Sequence, residues 1–496
     1  MELRQISESG IYNIYKKKKG SAVAYALSVI FMVALIILSI VQYIVGQARG
    51  SFHEANDQQA FRVAEAGANF YRWYLAHETD GKSAQQIQDF WGSTNPYPYG
   101  LEPDNPYQGD FRDQQGNLVG HYTIKVGLSD PSSTIATADI IGWTFKDTSD
   151  KKKIRVRFRR PAWSDYAVLT NAYSHFDANW NIKGKVMSNT GVHFDGVANN
   201  VVSAGLSSYY DPDTGATEPG VWTSWLNAFN TNQNLPVFGG GTAFPVTQKD
   251  FTGVAIDMNM MQSQAQQPNG TTINNCSSTG CYFSNQSLGR HIVLSSNGTF
   301  TITTVTSITN NSNSIKTENS SATYNIPGNG IIFVNGNVWV EGTINSKRVT
   351  LVAANMPANG TNANIYIGSN NLKYTNLSSE EVIGLIAQGN IEFSTNGPSD
   401  LVIDAALLAQ NGGIVKKDYN PNCCGSGCEA QKNSLGIFGS VASNQSLVFT
   451  VTKACNNSKA VGFQSKQITY DNNLLNYPPP YFPTDATYAV DDWKQL

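Results

Sequence analysis

Apolar side chains run almost unbroken from Ala22 to Val45, directly after the basic cluster Lys16 to Lys19 and Gly20. At roughly 1.5 Å per residue, a helix of that length crosses the hydrocarbon core of a bilayer. The lysines orient it by the positive-inside rule and place the rest of the chain outside the cytoplasm. A secretory signal peptide is the competing reading, but its apolar region is shorter, about 7–15 residues, and ends in a small-residue cleavage pattern. Here the helical pattern continues instead. From Gln47 to His77 there is no proline, and Ala60, Ala64, Gly67, Tyr71 and Leu75 recur at three- and four-residue spacing. One continuous helix over 21–78 is predicted, apolar in its first half and amphipathic in its second.

Beyond the helix the period changes. Residues 81–115 are rich in Pro, Tyr, Gly and Asp and predict an irregular connection. Three alternating runs follow, at 118–128, 134–145 and 152–160, separated by turn-like SDPSS and KDTSDK, which predict an antiparallel meander. In the third run Ile154, Val156 and Phe158 alternate with basic residues, as on a strand with one solvated face. From about 163 onward, runs of about five apolar or β-branched residues return every 15 to 30 residues, each closed by a Gly- or Asn-bearing turn. Examples are 329–344, 348–355, 363–374, 382–393, 401–414 and 435–444. Such recurrence predicts a β-solenoid, whose rungs are open at both edges and gain stability only by stacking. Asparagine suits the turns because it tolerates the left-handed region and hydrogen-bonds in stacks. Residues 289–308 read as a hairpin rather than a rung, and 206–288 as a long insertion in which FTGVAIDMNMMQSQA forms a short helix. The Pro- and Tyr-rich tail from Asn476 is expected to lie along the solenoid as a cover.

A short basic leader ending in glycine, followed by an apolar helix that becomes amphipathic, resembles a type IV pilin. The segment AFRVAEAGANFYRWYL (60–75) is similar to the N-terminal helix of PilX-type minor pilins. The phrases GKVMSNTGVHFDG, NVWVEGTI and IGLIAQGNI, with the ending LLNYPPPYFP, resemble large PilX-like proteins of candidate-phylum bacteria, so the resemblance extends over nearly the whole chain. It implies cleavage by a prepilin peptidase after Gly20, with Ser21 as the new and N-methylated terminus. Major pilins begin with a large apolar residue and carry a glutamate at the fifth mature position, where this chain has Ser21 and Tyr25. That glutamate is thought to pair with a neighbour's N-terminal amine, and an unpaired charge in an apolar bundle is costly. Its absence fits a minor subunit at or near a tip. The implied partners are other pilin subunits through the helix, the peptidase, and the cytoplasmic membrane before assembly, with the mature protein in a surface pilus. The bland counterpart is a signal anchor that is never cleaved.

Composition narrows the function. Only 14% of the 496 residues are charged, against abundant Asn, Ser, Thr and Gly, a balance common in exported β-rich proteins. The net charge of −3 becomes −6 once the leader's five positive and two negative side chains are removed, so no nucleic-acid partner is expected. The six cysteines, Cys276, Cys281, Cys423, Cys424, Cys428 and Cys455, all follow the apolar helix and are expected to form disulfides. Cys276 and Cys281 flank a turn-rich segment and are candidates to staple a short loop, but the sequence leaves the pairing open among about 15 possibilities. A zinc site in the CCGSGC cluster is the sharper alternative.

The best candidate chemistry is a repeated triplet. HFD occurs at 175–177 and 193–195, 18 residues apart. If that displacement is one rung, the triplets stack and bring His175, Asp177, His193 and Asp195 together as a weak candidate metal site or catalytic carboxylate pair. The simpler reading buries Phe176 and Phe194 and leaves their polar neighbours facing solvent. No HExxH, GxSxG, phosphate-binding loop or calcium repeat is present. The sequence thus predicts an α+β chain: leader 1–20, long helix 21–78, small antiparallel region 79–162, and solenoid 163–496 with insertion 206–288 and a Cys-rich loop at 416–434. No cofactor or catalytic residue is expected, and adhesion to a surface glycan or protein is the expected role. A membrane-anchored, polysaccharide-active β-helix enzyme or a non-pilus surface adhesin is the alternative.

Overall fold

The computed structural model describes residues 21–82, 84–128, 133–251, 254–266, 272–309, 313–394, 396–416, 431–453, 459–485 and 487–496. The leader with Gly20, and Cys423, Cys424, Cys428 and Cys455, lie outside them. Helix α1 spans Ser21–Thr79. Residues 22–55 are exposed throughout, whereas Ala60, Val63, Ala64, Tyr71 and Leu75 are fully buried. The hydroxyls of Ser28 and Ser39 donate to the carbonyls of Ala24 and Leu35 at 2.9 and 2.8 Å, so these polar groups of the apolar half are satisfied within the helix.

The buried half rests on a five-stranded antiparallel sheet. Strands β1 (Tyr107–Arg112), β2 (Leu118–Gly127), β3 (Ile135–Thr144) and β4 (Lys151–Arg159) follow in chain order, and the C-terminal strand Ala489–Gln495 pairs with β4. Burial alternates strictly along β3. Its inward face (Ala136, Ala138, Ile140), with Tyr122, Ile124, Ile154, Val156 and Phe158, meets Val63, Ala64, Tyr71 and Leu75 of the helix. On the outward face, Arg155 donates to both oxygens of Asp139 at 2.6 and 2.8 Å, and these bonds hold the Asp139 carboxyl down at about 2. Two expectations need correction here. Residues 81–115 are not wholly irregular, since they contain helix α2 (Ala84–Gly92) and β1. The tail covers the stacked strands only as far as Phe482, after which it closes the open edge of β4, because its final segment is free of proline and an unpaired edge is a liability.

The rest is mostly strand, paired in parallel. One ladder runs, in spatial order, through Cys281–Phe283, Ile331–Asn335, Arg348–Ala354, Val382–Ala387, Asp400–Ala409, Gln431–Ser443, Val168–Thr170, Val186–Ser188, Val202–Ala204 and Thr242–Ala243. Spatial order is therefore not chain order. The chain enters mid-stack at Val168 and winds outward to Thr242. It then crosses to the far end between Ala243 and Cys281, so the expected insertion 206–288 is not wholly outside the stack, and winds back until Val441 pairs with Val168. A second face stacks Leu372, Ile403, Ile437, Ile468, Ile182 and Ala198 in one column, all buried. Asparagines tie successive turns: the side-chain oxygens of Asn337, Asn364 and Asn390 accept from the backbone N–H groups of Asn364, Asn390 and Gly413 at 2.8–2.9 Å.

The first ladder is buried on both faces, which is why its strands read as continuous apolar runs. Ile332 and Val334 point into the interior, while Ile331 and Phe333 face outward. Helix α3 (Val254–Gln266), through Met258, Met261 and Ala265, covers that outer face together with Phe251, Leu474 and Phe482. Residues 289–308 form the expected hairpin, whose first strand also joins the stack in parallel with Val338–Ile344. Cys276 and Cys281 are disulfide-bonded.

Two predictions follow from this packing. A Cβ at Gly142 would lie 2.4 Å from the backbone N of Ala64 and 2.7 Å from the carbonyl oxygen of Ala60, so no side-chain adjustment can make room. Gly142→Val should lift the helix off the sheet and cost about 1–3 kcal/mol or more. A melting curve of the detergent-solubilised chain unchanged by the substitution would refute this contact. Asp471, only 1% exposed, has one oxygen bonded to the N–H of Asn473 and the other without a partner. Burial, with Asp404 nearby, pushes its carboxyl up to about 6 from the ordinary 3.8. The folded chain thus binds this proton more tightly than the unfolded one, and stability should fall as the pH rises from 3.8 to about 6. Asp471→Asn keeps the cap, removes the buried charge, and should flatten this window in urea melts by about 3 kcal/mol.

Candidate functional site

Two parts of the chain offer chemistry or a surface that the fold itself does not use up. The first is the N-terminal half of α1, an almost wholly apolar surface from Val23 to Val45 with Tyr25 72% exposed. The second is built on the two HFD triplets. Strands Ser174–Phe176 and Val192–Phe194 pair in parallel with His175 opposite His193 and Phe176 opposite Phe194. Val221–Trp222 adds a third strand, placing Trp222 opposite His193. Period-two alternation then sorts the side chains. Phe176 and Phe194 go fully into the core, their rings 4.9 Å apart. His175, His193 and Trp222 stack on the other face, with ring centres 4.3 and 4.2 Å apart.

The two aspartates of the triplets part company. Asp177 pairs with Lys466 at 2.6 Å; the lysine is almost completely buried, donates also to the Thr450 hydroxyl at 3.0 Å, and lies over the Trp180 ring. Asp177 is thus committed to neutralising a buried cation. Asp195 stays with the imidazoles. Its Oδ1 accepts from the Thr223 hydroxyl and the Ser224 N–H at 2.9 and 2.8 Å, and its Oδ2 accepts from the Ser224 hydroxyl at 2.6 Å and lies 3.2 Å from His193 Nε2. Burial works to raise its pKa, but these donors outweigh it and hold the carboxyl below the usual range.

The remaining members come from the insertion. Asp211 ends the strand Ser208–Asp211, and Asp213 lies in the turn that follows it. Asp211 is fully buried, and its Oδ2 lies 3.2 Å from His193 Nδ1 and accepts from the Trp222 indole at 2.9 Å. Asp213 Oδ2 lies 2.8 Å from His175 Nδ1 and 3.8 Å from His193 Nδ1, and accepts from the Tyr173 hydroxyl at 2.6 Å. Burial and the adjoining Asp213 and Asp211 push Tyr173 far above its ordinary pKa, so it remains a donor. Burial, then neighbouring His193, pushes His175 down towards the neutral imidazole. Nothing in the residues 211–215, DPDTG, announced this role; they read as a turn, and only the stacking of that turn against the triplets reveals it.

This arrangement suits cation coordination better than nucleophilic chemistry. Ser224 donates to Asp195, so the acid stands between hydroxyl and imidazole, and His193 has no bond through which to take the serine proton. His53, Asp57 and Asp150 form a second, more exposed group with metal-ligand spacing. A cleft of about 1270 Å³ lies between the small sheet and the stack, lined by Arg157, Arg160, Lys347, Glu380 and Tyr477 among others. Of the other predicted site residues, Ser21 opens α1, Gly20 lies outside the described residues, and Cys276 with Cys281 serves as a staple.

No protein-family model matches the chain, and no curated protein matches it. Among solved structures it is similar to the competence-associated pilin ComZ from Thermus thermophilus, at 16% identity over 89% of this chain and 97% of that one. The TM-score is 0.28, too low for the likeness to decide fold or role.

Proposed function

We propose that this chain is a minor subunit of a type IV pilus or related surface filament, PilX-like in its N-terminal helix, which displays a β-solenoid for adhesion. One observation carries this reading. The apolar half of α1 has no partner among the described residues, while its second half is locked onto a small antiparallel sheet. Such a helix is stable in a bilayer or in a bundle of like helices, and exchanges one for the other without unfolding the exported part. The in-register parallel ladders support the solenoid reading, and their long polar flank offers the surface for a glycan or protein ligand. On this reading the protein acts mechanically and is not an enzyme.

Replacement of Gly20 by a bulky residue, Gly20→Leu, should abolish leader removal and incorporation into filaments. Peptide mapping of a sheared filament fraction by mass spectrometry provides the check. The parent chain should begin at Ser21, with an N-methyl group. A leader-bearing Gly20→Leu chain found in filaments at the parent's level would refute the proposal.

A further inference from the structure

The cluster at the foot of the insertion has one unsatisfied atom at its centre. His193 is 94% buried as a side chain, yet its Nδ1 makes no hydrogen bond of acceptable geometry, although carboxylate oxygens of Asp211 and Asp213 face it at 3.2 and 3.8 Å. On the opposite side of the ring, Nε2 faces Asp195 Oδ2. If the Nε2 proton is donated to Asp195, Nδ1 carries a lone pair with no donor to meet it and two carboxylate oxygens close beside it. That arrangement is repulsive and leaves a buried polar atom unmet, which is expensive. A cation among the three atoms removes both penalties.

We propose that His193 Nδ1, Asp211 and Asp213 are the protein ligands of a divalent transition-metal ion such as Zn²⁺, with a fourth position open to water. The spacing fits. Neighbouring ligands of a tetrahedral ion with bonds of about 2.0 Å are about 3.3 Å apart, and the 3.2 and 3.8 Å separations bracket that value. Two carboxylates balance the charge of the ion, and the imidazole nitrogen selects against calcium and magnesium, which prefer all-oxygen sites. Each ligand also has an outer partner that fixes its direction, as metal ligands require. Asp195 holds His193, the Trp222 indole holds Asp211, and Tyr173 and His175 hold Asp213. Asp213 is 45% exposed, which gives the ion a route in. The ion would clasp the hairpin of the insertion to the stacked strands.

The test uses the untagged full-length chain in detergent, freed of metal with EDTA and titrated with zinc sulfate by calorimetry. One equivalent should bind and raise the melting temperature, as ligand linkage demands. Asp213→Asn keeps the size and the Tyr173 hydrogen bond and removes one of the two facing charges, so it should not lower the metal-free melting temperature while weakening zinc at least tenfold. Because Trp222 stacks on His193, Co²⁺ should quench its fluorescence, and Trp222→Phe should remove that quenching. This second readout holds even if Asp213→Asn melts early. No uptake by the parent chain, uptake undiminished in Asp213→Asn, or uptake lost in His53→Ala and kept in Asp213→Asn would each overturn the proposal, the last by placing the ion at His53, Asp57 and Asp150.

Discussion

The backbone of α1 lies directly against β3, and the rest of the molecule depends on that contact. It exists because Gly142 has no side chain where Ala60 and Ala64 pass, and because Gly67 leaves room for Ile140 and Tyr122. The small residues of the helix do the same from their side. Close approach lets the aromatic rings of Tyr71, Phe158 and Tyr74 pack around the seam, so a helix of 59 residues is gripped along one segment and bare along the other. The boundary between the two environments is thereby set by packing, since the bare segment alone offers no reason to stop.

The small sheet is also where the large region is attached, and it is attached twice. The chain leaves through β4 and returns beside it as the C-terminal strand, so the two connections are neighbouring antiparallel strands. Polar contacts clasp them at the end of the sheet and just beyond it. Arg159 pairs with Asp165 at 2.7 Å and also meets Asp491, the Trp163 N–H donates to the Pro483 carbonyl, and the Asp485 N–H donates to that of Pro161. Load on the helix is therefore shared by two chain segments rather than one. The same logic governs the stack, which closes in its middle where Val441 meets Val168. Asn171 spans that seam, donating to Asn444 and accepting from Asn189.

Much of this was legible in the sequence, for a physical reason. Period and composition are local properties, so the helix, the alternating strands β2 to β4 and the apolar runs from 329 to 444 announce themselves. What is decided at long range does not. No local signal says that Val168 stacks on Val441, or that Ala489–Gln495 completes the edge of β4 rather than lying along the stacked strands. Strand β1 was hidden because its YQGDFR reads as part of a polar connection; what pairs it is the complementary edge of β2.

The candidate site divides along the same line. Two identical triplets one turn apart must superpose their side chains when their strands pair in register, and alternation must send Phe one way and His the other. Stacked imidazoles follow from the sequence once the offset is read as a turn. The carboxylates that meet them do not, since Asp211 and Asp213 stand 18 and 20 residues beyond His193 in a segment that reads as solvent-facing turn. Asp177 was the more obvious partner by proximity, but a buried lysine nearly 300 residues away claims it. Burying Lys466 without an anion would cost far more than Asp177 could gain beside the imidazoles, so the ion pair decides which aspartates remain for the cluster. Where an insertion folds back onto a regular stack, the stack supplies repeated, rigidly spaced donors and the insertion supplies charge. A site can arise there with neither part alone carrying its signature.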